Sequence, residues 1–78
     1  MAEMTHMEPR HILLSDGHWL SIGSFDGAHW AAISPPPGPP ASPNWSRVPR
    51  AITLHHLAET AARHIGHEEL GALIEEAR

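Results

Sequence analysis

The stretch "RHILLSDGHWLSIGSFDGAHWAAIS", Arg10 to Ser34, decides the fold. It contains one phrase twice. Asp16-Gly17 stands ahead of "HWLSI", His18 to Ile22, and Asp26-Gly27 stands ahead of "HWAAI", His29 to Ile33. Short runs rich in Ile, Leu and Trp, punctuated by Asp-Gly, specify hairpins, because Asp and Gly tolerate the positive φ of tight turns. The pattern predicts a three-stranded antiparallel meander over about 10–15, 18–23 and 28–34.

Side chains alternate across a sheet, so parity assigns them to faces. With even-length loops, one face carries Leu13, Leu20, Ile22, Ala31 and Ile33, together with His11, His18 and His29. The other carries Ile12, Leu14, Trp19, Trp30 and Ala32, together with Ser21. If Ser24–Gly27 forms the second loop, Trp19 and Trp30 are diagonal neighbours within touching distance. Both faces are then apolar for most of their length. A lone antiparallel sheet usually shows one polar face. The face left uncovered must meet a second copy, a partner, or the segment bearing Trp45.

That segment is "PPPGPPASPNWSRVP", Pro35 to Pro49. Its prolines fix φ and remove backbone donors, which makes it an extended strap between sheet and helices. Beyond it, "ITLHHL" and "IGHEEL" share a layout. Taking Thr53 and Gly66 as N-caps, Ile52 with Leu57 and Ile65 with Leu70 form hydrophobic staples. Leu54, Leu57, Ala58, Ala61 and Ile65 cluster on one helical stripe. In a single continuous helix, Leu70, Leu73, Ile74 and Ala77 would cluster on the opposite side. The sequence therefore predicts two helices, about 54–64 and 67–77, broken at Gly66.

The chain of 78 residues is one domain of α+β class. It divides into a flexible arm over 1–9, a three-stranded meander over 10–34, a Pro-rich strap over 35–50 and a helical hairpin over 51–78. There is no cysteine, which excludes disulfides and thiolate metal sites. A chain this short often needs reinforcement by a partner, a metal or a second copy. The absence of lysine and scarcity of Asn, Tyr and Phe, beside abundant Ala, Gly and Pro, point to a GC-rich bacterial or phage genome. No signal-peptide pattern and no membrane-length apolar run is present, so the expectation is a cytoplasmic protein without membrane contact.

The eight histidines invite a metal reading. His55 and Glu59 share a helix face, and His64, His67 and Glu68 straddle the break. None has the H-E-x-x-H order of a metallopeptidase. His55, His56, Glu59, Thr60 and Arg63 lie opposite the apolar stripe and read as a solvated face. No metal ligand, cofactor or catalytic residue is assigned. No G-x-S-x-G, P-loop or G-x-G-x-x-G occurs, and Asp16 and Asp26 read as turn residues. The two helices resemble a helix-turn-helix in layout only. Glu59, Glu68, Glu69, Glu75 and Glu76 outnumber Arg63 and Arg78, and the net charge of −4 argues against nucleic acid.

The expected function is a small non-enzymatic protein-binding module, an adaptor, regulator or inhibitor. Its expected contacts are Trp19, Trp30 and Trp45, because Trp is enriched at binding hot spots, and Glu68 and Glu69 on the acidic second helix. The expected partner is another protein or a second copy of the chain, as in a homodimer. The alternative is a metal-binding or DNA-linked transcriptional regulator.

Overall fold

A computed structural model describes residues 7–77. Four strands, β1 (Met7–Leu13), β2 (Trp19–Phe25), β3 (Ala28–Ser34) and β4 (Ser46–Val48), form one antiparallel sheet in the order β1-β2-β3-β4. Two helices, α1 (Ala51–Ala61) and α2 (His67–Ala77), follow. The class is α+β as expected, with one strand more than the meander predicted. The extra strand, β4, is the end of the strap. It pairs Ser46, Arg47 and Val48 with Ala31, Trp30 and His29. Most of the expected arm, residues 1–6, lies outside the described residues, whereas Met7–Pro9 open β1. The register of β1 slips between Met7 and Arg10, around Pro9, which has no backbone N–H to give to a ladder.

The second hairpin is tighter than the four-residue loop considered for it. Phe25 pairs with Ala28, and the turn is Asp26-Gly27, with φ of 54° and 73°. Positive φ at both central residues is the requirement of a type I′ turn. This even-length loop preserves the expected faces of β2 and β3. Leu20, Ile22, His29, Ala31 and Ile33 share one face, and Trp19, Ser21, Trp30 and Ala32 share the other.

The first hairpin departs from expectation. Leu13 pairs with Trp19, so an odd-length connection, 14–18, joins the strands and inverts the parity of β1. Ile12 faces Leu20, while His11 and Leu13 fall on the tryptophan face. His11 therefore does not share a face with His29, and His18 lies in the connection, outside the strands. The Asp16-Gly17 turn lies inside a wider loop, held by Leu14 N–H to the His18 carbonyl at 2.8 Å and by Gly17 N–H to the Leu14 carbonyl at 3.2 Å. The wider loop lets Leu14 fold inward, where it is buried among core residues.

The helices cover the face of Leu20, Ile22 and Ala31. Leu54, Leu57 and Ala61 from α1, and Leu70 and Ile74 from α2, join those residues, Leu14 and Val48 in one buried cluster. Two stripes thus meet one sheet face because the helix breaks between them. Fully burying one large aliphatic side chain contributes roughly 1.5–3 kcal/mol, against at most about 1 kcal/mol for an exposed ion pair. The aliphatic layer, not surface charge, holds the helices down.

The ends of α1 differ from the expectation. The helix begins at Ala51 with Arg50 in extended conformation ahead of it, so Thr53 is inside the first turn and not the N-cap. Ile52 is 60% exposed and forms no staple. At the other end His64, not Gly66, takes the left-handed conformation, with φ of 62°. Gly66 stands directly before α2, the N-cap place expected for it, and its carbonyl accepts the N–H of Leu70. Among the described residues, no helix is long and apolar enough to cross a membrane.

Candidate functional site

The buried core is wholly aliphatic. Phe25, Trp19, Trp30 and Trp45 are each only partly buried; the sheet register places the first three on the face away from the helices, and Trp45, just before β4, meets that face at Phe25. Three of them meet. The rings of Phe25 and Trp30 stack with centroids 5.7 Å apart, and Trp45 meets Phe25 edge-on at 5.4 Å. Trp30 donates its indole N–H to the Phe25 carbonyl at 3.0 Å, which fixes the plane of its ring. Arg47, exposed on β4, pairs with Trp30 in register and so shares this face.

Trp19 is elsewhere. It pairs with Ser34, whereas Trp30 pairs with Gly23. Four residues of strand, about 13 Å, separate the two, so the expected Trp19–Trp30 contact does not form. The strap covers Trp19 instead. Gly38 lies so close to its indole that any Cβ there would overlap the ring.

Glu68 and Glu69 lie exposed in the first turn of α2, in the helical layer on the other side of the sheet. The structure therefore joins Trp30 with Trp45, sets Trp19 apart, and places both glutamates away from all three.

Two histidines on the strands are paired locally. His11 Nδ1 lies 2.7 Å from the Ser21 hydroxyl and His29 Nδ1 lies 2.8 Å from the Ser24 hydroxyl. In each case the partners are directly opposite across strands, and both serines are buried.

A second constellation escaped the sequence reading. Asp16, in the first hairpin loop, accepts the backbone N–H of His67 on Oδ2 at 2.9 Å. It therefore caps α2 from the far side of the chain. The same oxygen lies 2.5 Å from His67 Nδ1. Its other oxygen accepts the His18 backbone N–H at 3.1 Å and lies 3.3 Å from His18 Nδ1. The imidazoles of His18 and His67 stack, 3.8 Å between centroids and 12° from parallel. Hydrogen bonds from His67, first its side chain and then its backbone, hold the Asp16 carboxyl well below the usual carboxylate range. No sequence signal joined Asp16 to His67, because the approach depends on how the wide loop meets the helix corner.

A shallow cleft of about 260 Å³ lies between the helices, lined by Thr53, His56, Leu57, Leu73, Glu76 and Ala77.

The class these features define is a small α+β domain with an aliphatic core and an aromatic outer sheet face. In comparisons with known proteins, no family model matches the chain, and no curated protein or solved structure matches it either.

Proposed function

We propose that this chain is a small non-catalytic protein-binding module, working in the cytoplasm of a bacterium or as a phage product. Its contact surface is the Phe25–Trp30–Trp45 cluster with Arg47 at its border. The observation that carries the reading is the exclusion of every aromatic side chain from the buried core. Aromatic residues ordinarily dominate core burial. Here three gather, partly exposed, on the face opposite the helices. Trp and Arg are the residue types most enriched at binding hot spots. The surface suits an apolar segment of another protein flanked by an acidic residue that meets Arg47.

Replacing Trp45 by a photo-cross-linking phenylalanine analogue in the source cells tests this. The captured chain is then purified and titrated against the wild type, Trp45→Ala and Phe25→Ala. The proposal expects Trp45→Ala to fold normally and to bind at least about 30-fold more weakly, since hot-spot truncations cost ~2 kcal/mol or more. Unchanged affinity in both variants would refute it. Cross-links confined to a second copy of this chain would make the surface a self-association face instead.

A further inference from the structure

We infer that Asp16, His18 and His67 form a binding site for one divalent transition-metal ion of the Zn²⁺ class, distinct from the aromatic surface. Among the described residues, these are the one group of three or more metal-ligating side chains that converge. One ligand atom from each lies within 4.8 Å of the others.

The donor set suits the ion. Imidazole nitrogen and carboxylate oxygen are the ligands Zn²⁺ takes in open sites, three from the protein and the fourth position left to water. In a tetrahedral site with bonds of about 2.0–2.1 Å, neighbouring donors stand roughly 3.3–3.4 Å apart. The gap from His18 Nδ1 to Asp16 Oδ1 is already 3.3 Å. The gap from His67 Nδ1 to Asp16 Oδ2 is 2.5 Å and must widen when an ion replaces the shared proton.

His18 supplies the independent pointer. Its Nδ1 is sealed from solvent and makes no hydrogen bond, although it faces the Asp16 carboxylate. A buried polar atom without a hydrogen bond calls for an explanation, and an ion is one that the site admits once the two rings tilt out of their near-parallel stack, so that both lone pairs aim at one point. The cluster remains reachable, because the side chains of His67 and Asp16 are 39% and 34% exposed.

The site is also held in place. The Ser15 N–H donates to the Ile65 carbonyl at 3.1 Å, which fastens the loop bearing Asp16 and His18 to the corner bearing His67. A Cβ on Gly66 would stand 3.0 Å from Asp16 Oδ2, so glycine admits the carboxylate. The partial positive charge of a helix N-terminus opposes a cation. Asp16 and the first-turn Glu68 and Glu69 offset it. A bound ion would join the first hairpin to α2 and staple a domain that has no disulfide.

The test uses the full chain, freed of metal by a chelator. It is titrated with Zn²⁺ by calorimetry and with Co²⁺ by visible absorption. The inference expects one ion per chain, a Co²⁺ d–d band of tetrahedral intensity, and a raised melting temperature. His18→Phe keeps the ring stack and removes Nδ1, while His67→Ala keeps the backbone N–H that Asp16 caps. Each should lower Zn²⁺ affinity by at least about tenfold, since even the outer partners of metal ligands are worth that much. A His55→Ala, His56→Ala double variant should bind as the wild type does. Absence of both the heat and the d–d band in the folded wild type would overturn the inference. So would unchanged affinity in whichever of the two ligand variants remains folded by circular dichroism.

Discussion

At the scale of single residues, the corner between α1 and α2 assigns opposite roles to two neighbours. His64 holds a φ of 62°, which costs a side-chain-bearing residue about 1–2 kcal/mol. Glycine there would avoid that cost and give back only roughly 0.5–1 kcal/mol in chain entropy. His64→Gly should therefore raise stability by about 0.5–1 kcal/mol in urea denaturation. Gly66 has no positive φ, yet it resists substitution. A Cβ would crowd the Asp16 carboxylate at 3.0 Å, and alanine is a poor residue at the position before a helix. Gly66→Ala should lower stability by about 1 kcal/mol in the same assay. Loss of stability at Gly66 was foreseeable from the sequence. Its cause, a carboxylate arriving from another hairpin, was not.

At the scale of elements, the length of a turn decides which tryptophans act together. The two-residue Asp26-Gly27 turn slides β3 along β2, so that Trp30 meets Phe25 and not Trp19. A double-mutant cycle reads this directly. Trp19→Ala and Trp30→Ala should be additive within about 0.5 kcal/mol, as for sites without shared partners. Phe25→Ala and Trp30→Ala should show a coupling of about 0.5–1.5 kcal/mol, the range of stacked aromatic pairs. Strong coupling in the first pair would require the longer loop and the diagonal register. The sharing of a face by Trp19 with Trp30 was legible from period-two alternation, whereas His18 lies in the connection before β2. The inversion of β1 was not, because Asp16-Gly17 reads as a two-residue turn until Leu14 is seen to need the core.

At the scale of the whole molecule, the proline strap closes the second face in part. The expectation of a partner rested on two apolar sheet faces, of which the helices could cover one. The strap seats Gly38 on Trp19 and brings Trp45 onto Phe25, so the open apolar surface shrinks toward the Phe25 end. Gly38→Ala should lift the strap from Trp19, because its Cβ has no room beside the indole. A cost of about 1–3 kcal/mol, the usual penalty of overpacking, should accompany a red shift in tryptophan emission. A variant as stable as the wild type with unshifted emission would contradict the contact.

By itself the sequence determined what depends on local chemistry and periodicity: α+β class, paired hairpins, a proline crossover, two helices with separate apolar stripes, and common faces for Trp19 with Trp30. Each follows from side-chain spacing over one or two turns of chain. Tertiary structure alone decided the rest: the fourth strand, the inverted face of β1, the wrapping of the strap over Trp19, and the convergence of Asp16, His18 and His67. These hang on an odd or even loop length and on contacts between distant segments. One residue more or less in a turn leaves the local pattern unchanged, yet it moves every side chain beyond it to the other face.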